Sequence, residues 1–280
     1  MKKITRRSFL AAAGLSVAAL ALTACGGSSS SVASSVASSA AASSEAASTS
    51  AAAGELTTVE AGKLTMATNA TFPPYEMTTD SGDIEGIDVE TAQAIADKLG
   101  LELQIDDMDF DAALLSVQQG KADIAMAGIT VTDERKAVMA FSDSYATGIQ
   151  SIIVPEGSDI ASPDDLAGKK IGTQRGTTGY IYCSDDFGDE NVVAYDNGLT
   201  AVQALNNGQV DAVVIDNAPA KEFVAANPGL TILDTSYAEE DYAIGMAKGS
   251  SLEDAINGAL EELKADGTLQ SIVDKYITAE

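Results

Sequence analysis

The segment AGITVTDER, residues 127–135, brings together groups that can bind a carboxylate. Thr130 and Thr132 alternate with apolar residues, so both hydroxyls can point to one side of an extended chain. Thr132 is placed to cap the helix that follows, and the first N–H groups of a helix attract anions. Arg135 adds a guanidinium, which can form two parallel hydrogen bonds with a carboxylate. The segment predicts a carboxylate receptor, unless Arg135 instead pairs with one of the chain's many acids.

A second polar segment, QRGTTG at residues 174–179, follows another apolar run. Its glycines and backbone N–H groups suit a small anionic ligand, with Gln174, Thr177 and Thr178 as candidate contacts. A plain loop is the alternative interpretation. Asp216 ends the apolar run at 212–215, where its carboxylate could cap the next helix or receive the ammonium group of a ligand.

Two phenylalanines are candidates for the walls of a binding pocket. Phe72 lies in the segment TFPPYE, whose two prolines stiffen a loop after the first predicted strand, and Phe110 lies in MDFD. Packing in the hydrophobic core is the alternative for each of them.

The elements that must position these residues are apolar strands that alternate with amphipathic helices. The hydrophobic pattern predicts strands over residues 63–68, 101–105, 123–127, 170–173 and 210–215. It predicts helices over residues 89–99, 111–119, 199–206 and 251–266. This alternation is typical of α/β lobes with mainly parallel strands.

A weak internal repeat relates the two halves of this pattern. The segments QGKAD and NGQVD each precede a predicted strand, and eight residues after their glycines lie Gly128 and Asp216. AGK occurs before two other strands, which lead to Asn69 and to Gln174. In open parallel sheets, ligands bind beyond the carboxyl ends of the strands. If two similar lobes face each other, these positions line one cleft.

The N-terminal 57 residues indicate export and attachment to a membrane. Residues 1–25 have a basic start, an apolar stretch and small residues before Cys25, as in a lipoprotein signal peptide whose cysteine receives lipid. Residues 26–57 are rich in serine and alanine and predict a flexible tether. The adjacent arginines of TRRSFL leave the export route open between general secretion and the twin-arginine pathway.

The composition excludes several classes of function. A net charge of −26 argues against binding to nucleic acid, which needs a basic surface. The chain has no histidine, so a histidine-containing metal site or catalytic triad is impossible. We expect no metal, no cofactor and no catalytic residue. If Cys25 carries lipid, Cys183 has no disulfide partner and is expected to be a small packing residue.

Six segments together resemble a known family. They are GKLTMATNATFPPYE, GIDVETAQAIADKLG, the run from MDFDAALLSV to AFSDSY, GTQRGTT, VDAVVIDNAPA and ALEELKADGTLQSIVDKY. From about Gly62 to Tyr276 the chain is similar to the polar amino-acid-binding proteins of ABC importers, the periplasmic-type solute-binding proteins. The resemblance implies the type II fold: two parallel-sheet α/β lobes joined by a two-strand hinge. Lobe 1 would comprise residues 58–146 and 243–280, and lobe 2 residues 147–242, with hinges near 145–150 and 241–244.

The resemblance also implies a role for each site residue. Arg135 would bind the α-carboxylate of an amino acid, helped by backbone or hydroxyl groups of the second polar segment and of Gly128 and Thr130. Asp216 would hold the α-ammonium group. Thr178 would be among the groups that help Arg135, and Thr177 is a further candidate contact. Phe72 and Phe110 would flank the ligand, and Asn69 and Gln174 would approach its side chain.

Two departures from the family pattern bear on the ligand. Relatives that bind basic amino acids commonly have an acid where this chain has Asn69, and glutamine-type relatives commonly have a lysine at Gln174. We therefore expect the ligand to be a neutral polar L-amino acid. A ligand with a cationic side chain is the alternative, because Glu76 is close in sequence to Asn69 and Phe72.

The implied partners are an ABC permease and its ATPase, with the protein itself a monomer on the outer face of the cell membrane. A dehydratase-like enzyme, with Glu76 as general acid or base, and a ligand-sensing module are the alternatives.

Overall fold

The computed structural model describes residues 56–277. The predicted signal peptide, the lipidation site at Cys25 and almost all of the predicted tether lie outside the described residues. No helix between residues 56 and 277 is long and apolar enough to cross a membrane.

The described chain alternates strands and helices along most of its length. The strands are β1 Lys63–Thr68, β2 Thr71–Phe72, β3 Glu76–Thr78, β4 Ile84–Glu85, β5 Glu102–Asp107, β6 Ile124–Ala125, β7 Met139–Phe141, β8 Ala146–Pro155, β9 Ile171–Gln174, β10 Val192–Tyr195, β11 Ala212–Asp216, β12 Leu230–Ile232, β13 Ala238–Tyr242 and β14 Gly245–Ala247. The helices are α1 Ile87–Leu99, α2 Phe110–Gln118, α3 Asp133–Val138, α4 Thr178–Phe187, α5 Gly198–Asn206, α6 Asn217–Ala226, α7 Glu253–Ala265 and α8 Thr268–Tyr276, with short 3₁₀ turns at Pro163–Leu166 and Asp189–Asn191.

The first lobe is built on a five-stranded sheet in the order β5-β1-β6-β14-β7. β1 runs parallel to β5 and β6, and β14 runs antiparallel to β6 and β7. Five of the six β1 residues are buried, because helices α1 and α2 pack against this strand. The carboxyl ends of β1 and β6 therefore open at the same edge of the sheet, where Asn69 and Gly128 lie.

The second lobe repeats this arrangement with the order β10-β9-β11-β8-β12. β9 is parallel to β10 and β11, and β11 is antiparallel to β8. Its strand ends present Gln174 and Asp216. The predictions of parallel strands and of two α/β lobes are confirmed for β5-β1-β6 and β10-β9-β11, whereas the flanking strands of each sheet are antiparallel.

Local contacts agree with the repeat that the sequence predicts. Gly120 and Gly208 both adopt the left-handed backbone, with φ of 66° and 67°. The aspartates that follow use the same device: Asp123 accepts from the Thr65 N–H at 2.8 Å, and Asp211 accepts from the Lys170 N–H at 2.8 Å. Each carboxylate thereby fixes the start of the neighbouring parallel strand.

Two paired strands connect the lobes. β8 and β13 run antiparallel, with Ala146 opposite Tyr242 and Gln150 opposite Ala238. Gly148 lies against the Tyr242 ring, and a Cβ at this position would come within 2.4 Å of it. The predicted two-strand hinge is therefore present, and it places Gln150 and residues 240–242 beneath the cleft.

The bounds of the predicted strands and helices differ from those in the structure by at most two residues. Helix α1 begins at Ile87 rather than at residue 89, and β6 is only two residues long. The small sheet β2-β3-β4 was not predicted, because strands of two or three residues leave no periodic pattern. Cys183 is fully buried, and burial raises the pKa of its thiol to about 12, as suits an inert packing residue.

Candidate functional site

All ten residues predicted to contact a ligand line one cavity between the two lobes. The closed lobes leave little empty space in this cavity, about 10 Å³ for the centre of a water-sized sphere, which is room for roughly one water molecule. Glu76 and Ala127 complete the lining, together with the ten predicted residues, Asn69, Phe72, Phe110, Gly128, Thr130, Arg135, Gln174, Thr177, Thr178 and Asp216.

Arg135 is held rigidly in this cavity by its own helix and by two carbonyl groups. Thr132 caps the six-residue helix α3, as predicted, and its Oγ1 accepts from the Arg135 N–H at 3.1 Å. The guanidinium donates to the Thr130 carbonyl at 2.7 Å and, across the cleft, to the Gly176 carbonyl at 3.2 Å. Its Cζ lies 5.3 Å from the centre of the Phe110 ring, a favourable cation–π arrangement.

The alternative of an internal ion pair for Arg135 is wrong. Within residues 56–277, no carboxylate comes within salt-bridge distance of its guanidinium. The side chain is only 8% exposed, and burial lowers the pKa of Arg135 while more distant carboxylates, Glu240 first, oppose that effect. An arginine keeps its charge in proteins, so the cavity contains a buried cation without an anionic contact from the described chain.

Asp216 supplies the complementary charge from the second lobe. It precedes helix α6 but forms no side-chain cap, so the capping alternative is wrong. Its Oδ2 accepts from Gln150 Nε2 at 2.9 Å, and its Oδ1 accepts from the Tyr242 hydroxyl. Burial raises the pKa of Asp216 to about 7, although the hydrogen bonds from Tyr242 and Gln150 act to lower it. A cation beside this carboxylate would favour its charged form.

The hydroxyl groups of Thr130, Thr177 and Thr178 donate hydrogen bonds within the protein, although the sequence had suggested them as donors to a ligand. Thr130 and Thr178 donate to the same oxygen, Oε2 of Glu240, at 3.1 and 3.0 Å. Thr177 caps α4 and donates to the Gln174 carbonyl at 2.8 Å. A hydroxyl has one hydrogen, so a hydroxyl that donates within the protein cannot also donate to a ligand. The sequence left open whether hydroxyl or backbone groups assist Arg135 in binding a carboxylate. Of these two, the backbone N–H groups at the start of the ten-residue helix α4 remain.

Two amides meet across the cleft beyond the charged groups. Gln174 Nε2 donates to Asn69 Oδ1 at 3.0 Å, and Asn69 Nδ2 donates to the Met108 carbonyl at 2.9 Å. Gln174 Oε1 is buried, with no partner among the described residues. This end of the cavity therefore offers an uncharged acceptor.

The two phenylalanines pack in the core and also wall the cavity, so both interpretations of them hold. Each is 6% exposed, and Phe72 stacks on Tyr75 with ring centres 5.9 Å apart. Gly128 makes room for this wall: its φ is 54°, and a Cβ would lie 2.8 Å from the Phe72 ring. A side chain at Gly128 would displace Phe72.

Sequence reasoning considered Glu76 but missed Asp88, with which Glu76 forms a buried acid pair at the cavity wall. Asp88 accepts from the Gly128 N–H at 3.0 Å and from the Tyr145 hydroxyl at 2.7 Å. Glu76 lies beside it, fully buried. Burial raises the pKa of Asp88 to about 6 and that of Glu76 well above its ordinary value, with the Asp88 charge adding to the second shift. The available signal was an acid between two apolar residues in GIDVE.

These buried acids predict that the protein is more stable at pH 5 than at pH 8. Their pKa values are higher in the folded than in the unfolded chain, so folding takes up protons. The resulting stability is complete below about pH 4 and is lost as pH rises through about 6 to 7. We expect a difference on the order of 3 kcal/mol, or roughly 5–10 °C in melting temperature.

Thermal melts between pH 5 and 8 measure this profile. Glu76→Gln should flatten it, because an amide does not titrate, whereas Glu239→Gln on the exposed face of β13 should leave the slope unchanged and controls for net charge. A melting temperature that falls from pH 8 to pH 5 would contradict the prediction.

Comparison with known proteins adds to this geometry. The sequence profile of the bacterial extracellular solute-binding proteins, family 3, matches residues 64–279. A probable histidine-binding protein of Neisseria gonorrhoeae is 32% identical over 279 residues, covering 96% of this chain and 95% of the relative. The arginine-binding extracellular protein ArtP of Bacillus subtilis (strain 168) is 33% identical over 228 residues, covering 78% of this chain and 87% of the relative. The solved structure of an ancestral arginine-binding protein bound to glutamine has 42% identity and a TM-score of 0.75, covering 78% of this chain and 99% of that chain.

These matches decide between a binding protein and an enzyme. All three relatives are binding proteins, so the chain is a binding protein rather than a dehydratase-like enzyme. The family that the sequence resembled is confirmed by a profile that spans both lobes. The chain belongs to the bacterial extracellular solute-binding proteins, family 3.

Proposed function

We propose that the protein binds an L-amino acid in the cleft, with its carboxylate on Arg135 and its ammonium group on Asp216. One observation carries this proposal: a buried cation and a buried carboxylate face the same cavity, and neither has an ion-pair partner among residues 56–277. A buried charge is costly unless it is paired, and a zwitterion pairs both. The ten predicted residues are the proposed ligand-binding set.

A ligand held in this way favours the closed arrangement of the lobes. Arg135 belongs to the first lobe and Asp216 to the second, so a bound zwitterion links them. The Arg135 bond to Gly176 and the Gln174 bond to Asn69 already cross the cleft. Since only the closed form offers both charges to one ligand, binding shifts the population towards it.

The proposed side chain is neutral and polar. Asn69 and Gln174 present amide groups, and the free Gln174 acceptor suits an N–H or O–H of the ligand. A cationic side chain is the second candidate, favoured by the carboxyl group of Glu76 in the cavity lining and by relatives named for histidine and arginine. Burial raises the pKa of Glu76 and so disfavours its charged form, which favours the neutral ligand.

The wider role follows from the family. We propose that the protein is exported, anchored by lipid on Cys25 and tethered through residues 26–57, and that it works as a monomer. It would deliver its amino acid to the permease of an ABC importer, with lobes divided at residues 58–146 and 243–280 against 147–242. The family description, extracellular solute-binding proteins, supports export.

A thermal-shift screen of the purified protein against the twenty L-amino acids tests the proposal. A ligand at 100 times its Kd adds about 2.7 kcal/mol of stability, which raises Tm by roughly 5–10 °C for a domain of this size. We expect a neutral polar amino acid to give the largest shift. If no amino acid moves the melt, the proposed function is wrong, and a larger shift with arginine or histidine would favour the second candidate.

A further inference from the structure

We propose that Glu240 is a positioning residue, which holds groups of both lobes and of the connecting strands in the arrangement that receives the ligand. The inference rests on the proposed function, because Glu240 acts on the same site. Glu240 lies on connecting strand β13, and its side chain is buried, with the residue only 6% exposed.

One carboxylate oxygen of Glu240 gathers three donors from three parts of the molecule. Its Oε2 accepts from Thr130 Oγ1 of the first lobe at 3.1 Å and from Thr178 Oγ1 of the second lobe at 3.0 Å. It also accepts from Gln150 Nε2 of strand β8 at 2.9 Å. The three bonds can exist together only when the lobes are close, so Glu240 stabilises the closed arrangement from its base.

Glu240 acts through other residues, because it does not line the cavity itself. Thr130 and Thr178 do line the cavity, and their hydroxyl groups donate to Glu240. Gln150 Nε2 bonds to both Glu240 and Asp216, at 2.9 Å each, so one amide fixes the two carboxylates relative to each other. Removing Glu240 would free Thr130, Thr178 and Gln150 to rotate and would leave Asp216 less well oriented.

The charge of Glu240 also affects Arg135 without touching it. Among the carboxylates that oppose the effect of burial on the Arg135 pKa, Glu240 has the largest influence, although no ion pair forms. Its negative charge therefore stabilises the buried guanidinium and leaves the hydrogen-bonding face of Arg135 to a ligand. A glutamine at position 240 would keep the shape but lose this charge, and its NH₂ would add donors where three donors already converge.

A double-mutant cycle between Glu240→Gln and Thr178→Val tests the assignment, with Glu239→Gln as the matched control on the exposed face of the same strand. The probe is the amino acid that gives the largest shift in the screen, titrated by calorimetry. We expect Glu240→Gln to raise Kd about tenfold and the double variant to bind no more weakly than the weaker single variant, because both changes break one interaction. Glu239→Gln should bind as the wild type does.

A second measurement needs no ligand. Spin labels at Leu115→Cys and Leu199→Cys, exposed positions in different lobes, report the distance between the lobes. Glu240→Gln should lengthen this distance and Glu239→Gln should not. Unchanged affinity in Glu240→Gln, additive effects in the cycle or identical distance distributions would each overturn the inference. If the wild type binds no amino acid, the proposed function fails, and the distance measurement alone decides the role of Glu240.

Discussion

Arg135→Ala is expected to remove amino-acid binding while leaving the fold intact. Among residues 56–277, the guanidinium is the only cation that lines the cavity, and truncating one partner of a buried charge pair costs about 2–5 kcal/mol. Kd should therefore rise about a hundredfold or more. The folded protein should keep most of its stability, because the substitution removes two hydrogen bonds to carbonyl groups but also a buried cation that has no carboxylate within salt-bridge distance among residues 56–277. Loss of binding in a protein that remains folded separates a ligand contact from a structural residue.

Calorimetric titration and thermal melts measure both parts of this result. Arg175→Ala is the matched control, because Arg175 lies at the mouth of the same cleft but is more than half exposed and is 3.8 Å from Asp196. Arg135→Lys should bind with intermediate affinity, since it keeps the charge and loses the planar pair of donors. Wild-type affinity in Arg135→Ala would refute the assigned role.

Asp216→Asn is expected to have the second largest effect on binding. The amide keeps the shape of the side chain but removes the charge that receives the ammonium group, so Kd should rise about a hundredfold. The variant should also be more stable than the wild type at pH 8, because burial raises the pKa of Asp216 to about 7 and its charged form is unfavourable without a ligand.

The pH dependence of affinity identifies this carboxylate more specifically. In the wild type, Kd should rise as pH falls below about 7, where Asp216 takes up a proton before it can bind an ammonium group. The affinity of Asp216→Asn should vary little over the same range. Asp196→Asn is the control, because Asp196 is an exposed acid at the cleft mouth. An unchanged pH profile in Asp216→Asn would contradict the assignment.

Much of this site could be predicted because its residues lie where short sequence patterns end. Strand β1 has the predicted bounds, Lys63–Thr68, and the repeated glycines locate the strand ends that present Gly128 and Asp216. Local rules also gave the Thr132 cap, which depends on a contact only three residues away. Local physics alone did not decide whether Arg135 binds a ligand or pairs with an acid of the chain, and the resemblance to a family supplied the expectation of a ligand.

The remaining features depend on contacts that are distant in the sequence. Glu240 bonds to Thr130 across 110 positions and to Thr178 across 62, and one acid among 42 has no pattern that distinguishes it. The direction of a threonine hydroxyl depends on such a partner, so the sequence could not decide between hydroxyl and backbone donors. The pairing of Asp88 with the Gly128 N–H is equally remote, 40 positions apart.

Titration with matched analogues of one ligand tests the central claim most directly. The amino acid that binds best is compared by calorimetry with its α-amide, which lacks the carboxylate, and with the acid that lacks its amino group. If Arg135 and Asp216 bind the two charged ends, both analogues should bind about a hundredfold or more weakly, and Arg135→Ala should no longer distinguish the amino acid from its amide. Equal affinity for the amino acid and either analogue would contradict the account.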